Sequence, residues 1–265
     1  MGIPAALGSM IQSLSTYQLA WGMIAMAGLA AALLLGGIVA PYGRYSSSAW
    51  GPLIPPRLAW LTQEILSLAI PVVWLAAFAT QEQRARVSDP VNAALMAMFL
   101  VHYIHRDLIY PFRIVPGKGT PLAVWSMAAG FCAYNGYLQT RYLLEEAAMG
   151  RAIGPTFLLG AALWALGWGI NLHSDTVLIR QRGGRRKGYS IPQGGLFALV
   201  SAANYFGEVV EWLGWALACR SLPATAFALF TTANLVPRAL HHHAWYHKTF
   251  KTYPKQRRAI IPFLL

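Results

Sequence analysis

The sequence predicts an all-α protein, a polytopic membrane bundle of about seven helices, and three observations predict it. Of 265 residues, 56% are hydrophobic and only 11% charged, whereas a soluble domain carries about 25% charged residues. Apolar runs of about 20 residues, the length that crosses a bilayer as a helix, recur along the whole chain. The basic residues behind the net charge of +12 fall unevenly on alternate connections between those runs.

In chain order the runs are Tyr17–Val39, Arg57–Ala79, Val91–Tyr110, Pro121–Thr140, Ile153–Leu172, Gly195–Cys219 and Ala224–Leu235. The first has no basic residue ahead of it and is longer than a secretory apolar core, so it is expected to stay as a span and not be removed as a signal peptide. No hydrophilic stretch is long enough for a soluble domain. The chain therefore reads as one transmembrane domain over residues 1–265. Cys132 and Cys219 fall in or beside spans, which makes them small packing residues and implies no disulfide framework.

With seven spans, connections after odd-numbered helices share one side. Arg44, Arg57, Arg113, Lys118, Arg180, Arg182, Arg185, Arg186 and Lys187 lie there, with Arg238, Lys248, Lys251, Lys255, Arg257 and Arg258 in the last segment. That is 15 of the 21 basic residues, against five (Arg84, Arg86, Arg141, Arg151, Arg220) on the other side, with Arg106 inside a span. The bias places the N-terminus outside and the C-terminus in the cytoplasm of a bacterial inner membrane or an endoplasmic reticulum. It accounts for the charge without a nucleic-acid partner; a monomer is expected.

Ionisable groups at bilayer depth are costly and need partners. Gln63 and Glu64 lie two turns into the second run, and the third ends in His102, Tyr103, His105, Arg106, Asp107 and Tyr110. On an α-helix Tyr103, Arg106 and Tyr110 share a face, and His102 neighbours Arg106. Two readings stay open. Glu64 and Arg106 form an ion pair that locks two helices, or a carboxyl and a phenol at mid-depth hold a carbonyl oxygen and supply a proton.

The last third carries two further polar stripes. Asn204, Glu208 and Glu211 follow i, i+4, i+7, and Asn234, Arg238, His242 and Tyr246 follow i+4 steps. Neither stripe can face lipid. Together with Asn171, Asp175, the basic run Arg180–Lys187 and Tyr189, they suit a large polyanionic ligand such as a dinucleotide. Carboxylates and amides bind ribose hydroxyls or a carboxamide, and arginines grip phosphates. Interhelical glue with a lipid-facing charge patch is the competing reading. The basic run fits anionic lipid heads as well as a 2′-phosphate. His241–His243 with His247 lacks the glutamate of a zincin helix, so no metal is expected. Neither G-x-G-x-x-G after a strand nor a P-loop is present. Gly194 and Gly195 read as a turn and helix start, as does Gly183-Gly184; Gly167 and Gly169, with Ala161, Ala162 and Ala165, read as close-packing positions.

These residues bear a family resemblance. Ile170–Asp175, Tyr189–Phe197, Ser201–Trp212, Arg238–Tyr246 and Tyr253–Phe263 resemble the C-terminal part of steroid 5α-reductases (3-oxo-5-alpha-steroid 4-dehydrogenases). Ala59–Pro71 and Val101–Tyr110 resemble the same family's substrate-side motifs. The C-terminal motifs are shared more loosely with polyprenol, enoyl-CoA and sterol reductases.

The resemblance implies an NADPH-dependent enzyme of bacterial type that reduces the Δ4 double bond of a 3-oxo-steroid. NADPH would be held by Asn171, Asp175, Arg182, Tyr189, Asn204, Glu208, Arg238, His242 and Tyr246. The catalytic set facing the steroid would be Gln63, Glu64 and Tyr103. Residues of about 40–120 would serve the substrate and about 165–265 the cofactor. The stretch Pro111–Lys118 departs from the family pattern, and Arg113 and Lys118 inherit no role from it. Hydride added at C5 leaves an enolate, which Tyr103 supported by Glu64 would stabilise before C4 is protonated; a Glu64 that donates has to be protonated. Competing readings are reduction of a polyprenol or long-chain enoyl thioester, an isoprenylcysteine-type membrane methyltransferase, and a non-enzymatic lipid transporter or sterol-binding scaffold.

Overall fold

The computed structural model describes residues 14–115, 117–183 and 188–265. Among these residues each of the seven apolar runs overlaps a helix of at least 14 residues. Helix α1 is Thr16–Leu35, opened by a capping box between Ser15 and Gln18. Helix α2, Pro56–Val73, starts on a proline and runs into a π-helical turn, Trp74–Phe78. A short helix α3, Gln81–Ser88, lies bent by 86° from the next element. That element is α4, Pro90–Tyr103, continued by a π segment, Ile104–Ile109, and a single turn, α5, Tyr110–Arg113. Then come α6, Leu122–Arg141, α7, Pro155–Gly183, α8, Ala203–Cys219, and α9, Leu222–Thr249. A two-residue antiparallel pairing of Leu53–Ile54 with Thr120–Pro121 is the only sheet among the described residues.

Three helices are long and apolar enough to cross a membrane unaided: Thr16–Leu35, Pro56–Phe78 and Pro155–Gly183. The bent α3–α4 pair makes a fourth if it is counted as one span. The remaining helices are shorter or more polar. Helix α8 has 17 residues and carries Asn204, Glu208 and Glu211, while α6 carries Asn135, Gln139 and Arg141. Leu29, Leu33, Met127, Leu158, Leu159 and Leu166 project outward as exposed apolar side chains, as expected of a surface in hydrocarbon. Between the helices sits an aromatic core in which Phe99, Trp212 and Trp215 are fully buried, with Trp215 Nε1 donating to the Leu95 carbonyl at 3.0 Å.

The tightest packing is between α7 and α8. A Cβ at Gly167 would collide with the backbone of Glu211 and Gly207, and one at Gly160 with Ala218 and Gly214. Gly207 and Gly214 meet Asn171 and Trp164 in return, so the two backbones touch along a stripe of glycines seven residues apart. Gly169, expected in that seam, faces open space instead, and Gly160 takes the role.

The chain after α9 folds back on the entry to α8. Arg258 N donates to the Leu199 carbonyl at 2.9 Å, Ser201 N to Arg258 O at 2.8 Å, and Ala202 N to Ala259 O at 3.1 Å. Arg257 adds bonds to Pro192 O and Gln193 Oε1, and Ser201 Oγ lies 2.6 Å from both His243 Nδ1 and Tyr253 Oη. Gly194 and Gly195, with φ of 97° and 53°, turn the chain into a 3-10 helix at this point, the turn and helix start expected of them.

Candidate active site

The glycine seam decides where the polar side chains of α7 and α8 meet. Asn171 lies one turn beyond Gly167 and Asp175 a further turn along α7, while on α8 Glu208 directly follows Gly207 and Asn204 lies three residues before it. Asn171 Nδ2 donates to the Asn204 carbonyl at 3.0 Å and to Glu208 Oε2 at 3.4 Å, while Asn204 Nδ2 donates to Asp175 Oδ1 at 3.1 Å. Both pairs are spaced i, i+4 on their helices, so the close approach lets all four interlock.

Arg106 joins this cluster to α2. Its Nε donates to Glu64 Oε2 at 3.3 Å and its Nη1 to Asp175 Oδ2 at 3.3 Å, with Glu208 Oε2 at 3.9 Å from Nη2. Trp60 and Tyr110 stack against the guanidinium at 4.5 and 4.8 Å. Gln63 donates to Glu64 Oε1 at 3.3 Å, so both oxygens of Glu64 act as acceptors. The ion pair open as an alternative in the sequence is present, and through Arg106 it joins Glu64 on α2 to Asp175 on α7.

The π segment changes one expectation. Its wider turns advance the helix by an extra residue. Arg106 and Tyr110 still face α2, but Tyr103 turns toward α6, where its Oη accepts from Asn135 Nδ2 at 3.3 Å. Among the described residues no hydrogen bond joins Tyr103 to Glu64. His102 likewise pairs with Glu211 (Nδ1 to Oε1, 2.7 Å) and not with Arg106, and its ring packs on Trp212. Asp107, in the same segment, is fully buried with neither oxygen partnered among the described residues.

The second cluster, where the basic residues gather, is built differently, from arginines and aromatic rings. Arg238 donates to Tyr205 Oη at 2.7 Å and lies over the Tyr42 ring at 4.3 Å. His242 Nε2 is 3.3 Å from Tyr205 Oη, and its ring stacks on Tyr45. Burial pushes the Tyr45 phenol above its ordinary value against the pull of Arg44, so it stays neutral. Arg44 sits among Tyr189, Trp245 and Tyr246 at 4.9, 4.1 and 4.9 Å, and donates to Tyr246 Oη at 3.4 Å. Arg182 reaches Tyr189 Oη at 3.5 Å. Asn234 stays on its own helix, donating to the Phe230 carbonyl, and does not join the cluster. Gly184, Arg185, Arg186 and Lys187 lie outside the described residues. Tyr42, Tyr45, Tyr205 and Trp245 were given no role from the sequence, and Arg44 only a place in the charge bias. The single arginine between two tyrosines in Tyr42–Tyr45 was the available signal.

Charge is thus segregated along the site. Carboxylates and amides gather around Arg106, and guanidiniums with aromatic faces gather around Arg44 and Arg238. Two volumes of about 430 and 710 Å³ open as largely apolar grooves on the outer surface, along α1–α6–α9 and α2–α6, away from these clusters.

The sequence profile of 3-oxo-5-alpha-steroid 4-dehydrogenases matches residues 118–265, more than half of the chain. The chain belongs to this family. A 3-oxo-5-alpha-steroid 4-dehydrogenase 1 of Bos taurus is 49% identical over 240 residues, covering 90% of this chain and 93% of the relative. The human 3-oxo-5-alpha-steroid 4-dehydrogenase 1 is 48% identical over 225 residues, 84% and 85% of the two chains. The steroid 5-alpha-reductase DET2 of Arabidopsis thaliana is 39% identical, covering 90% and 92%. The profile covers α6 to α9 with the carboxylate–amide cluster. The bovine alignment is too long to omit the helices that carry Glu64 and Tyr103.

Proposed function

We propose that this chain reduces the Δ4 double bond of 3-oxo-steroids, with hydride arriving at C5 and a proton at C4. The observation that carries this reading is the bridge from Glu64 through Arg106 to Asp175, Asn204, Glu208 and Asn171. It joins a substrate-side acid to a ligand-rich cluster in one hydrogen-bonded unit. The names of the relatives agree with it.

The donor set fits NADPH. Asn171, Asp175, Asn204 and Glu208 offer carboxylates and amides to hydroxyls and a carboxamide. Arg182, Arg238, His242, Tyr189 and Tyr246, with Arg44, offer cations and ring faces to phosphates and a base. Arg44 Nη1 and His242 Nδ1 are buried without a partner among the described residues, which leaves capacity for a ligand. When bound, the cofactor supplies the hydride. Tyr103 gives a hydrogen bond to the steroid carbonyl as charge develops there, in a site where water does not compete. Glu64, held as an acceptor by Arg106 and Gln63, fixes Arg106 between the two halves of the site. The steroid enters from the bilayer and the cofactor from the basic face. Seven crossings, an outside N-terminus and a single copy complete the proposal.

Purified protein given NADPH and a panel of 3-oxo-Δ4-steroids should consume cofactor and yield products two hydrogens heavier. Tyr103→Phe and Glu64→Gln should each cut turnover by about 100-fold while NADPH affinity holds. Unchanged turnover in both variants would overturn the assignment.

A further inference from the structure

We infer that Asn135 and Gln139 are positioning residues that set the direction in which Tyr103 offers its proton. The inference rests on the proposed role of Tyr103 and deepens it. Both amides lie on α6, one turn apart, and both are buried, Asn135 at 0% and Gln139 at 1% exposure. The reading of the sequence gave neither a role.

The chain of bonds starts at Pro223, whose carbonyl can only accept. Gln139 Nε2 donates to it at 3.0 Å, so the amide of Gln139 has to turn its NH2 that way. The other hydrogen of the same NH2 goes to Asn135 Oδ1, also at 3.0 Å. With its oxygen engaged there, Asn135 turns its own NH2 to Tyr103 Oη at 3.3 Å. A phenol oxygen that accepts one hydrogen bond still has its O–H to give elsewhere. The acceptor beside it is Ser67, whose own proton goes to the Cys132 carbonyl at 3.1 Å and whose oxygen can hold the phenol proton until a ligand carbonyl takes it.

One backbone carbonyl thus sets the polarity of the whole relay, and Tyr103 emerges as a donor toward the ligand. Were the Asn135 amide reversed, the phenol would donate to it and have nothing to give a steroid carbonyl. The glutamine tolerates an unpartnered Oε1 in this arrangement, as its two acceptors demand its nitrogen.

The test is Asn135→Asp, which keeps the size of the side chain and replaces a donor by an acceptor that draws the phenol proton away. Turnover (kcat) should fall about 100-fold, the scale seen when one donor to a developing oxyanion is lost. NADPH affinity, measured by fluorescence titration, should hold and so report an intact fold. Gln139→Met removes the anchor, frees the Asn135 amide to turn, and should lower kcat less. Should the aspartate variant fail to fold, this second variant carries the same test. In a Tyr103→Phe background neither change should lower kcat further, because there is no phenol to direct. A normal kcat in both variants, or an equal fall with and without the phenol, overturns the inference. If Tyr103→Phe alone turns over normally, the role of Tyr103 falls first. A slow Tyr103→Phe beside a normal Asn135→Asp refutes only the relay.

Discussion

The carboxylate–amide cluster around Arg106 and the arginine–aromatic cluster around Arg44 are built by different means. The first hangs on helices whose separation is set by glycine backbones in contact, so its members are fixed by register. The second draws Tyr42, Arg44 and Tyr45 from the connection after α1, Tyr189 from the connection after α7, and Trp245 and Tyr246 from the end of α9. Its members meet through stacking and long side chains. Rigid placement suits groups whose geometry must be exact, and adaptable arginines suit the grip of an anion.

The largest effect should come from breaking the first cluster. Arg106→Leu leaves Glu64, Asp175 and Glu208 without their shared cation, and removing one partner of a buried ion pair costs about 3–5 kcal/mol. Thermal unfolding in detergent should show a large drop or no folded protein, and retained stability would mean that the carboxyls are satisfied otherwise. A sharper comparison sets Gly167→Ala against Gly169→Ala. The first forces a methyl into the backbone of α8 and should cost about 1–3 kcal/mol, while the second enters open space and should leave the unfolding midpoint in place. The smallest effect belongs to the second cluster. Arg44→Ala should raise the KM for NADPH by roughly tenfold, equivalent to about 1.4 kcal/mol, weaken its salt dependence and leave kcat near normal. A fall in kcat with an unchanged KM would place Arg44 with the chemistry instead.

Much of this was legible before the structure. The seven apolar runs appear as seven long helices, and the i, i+4 spacing of Asn171 with Asp175 and of Asn204 with Glu208 announced the cluster they form. Three features were not legible. The π segment after Tyr103 is decided by tertiary packing, and it separates Tyr103 from an arginine that an α-helix would set beside it. The glycine seam depends on the register of two helices, which one sequence does not encode as a local pattern, so Gly169 was as plausible as Gly160. The Asn135–Gln139 relay hid inside an apolar run, where two amides one turn apart were the only trace.

The return of residues 257–260 onto the entry of α8 has a consequence for biosynthesis. The backbone bonds that pin Leu199, Ser201 and Ala202, immediately before Asn204, come from a segment translated only after α9. A nascent chain therefore passes through a stage in which every long helix has been made and the start of α8 is still unfastened. Assembly of the carboxylate–amide cluster is then a late event, timed by a short stretch of chain that follows the last helix.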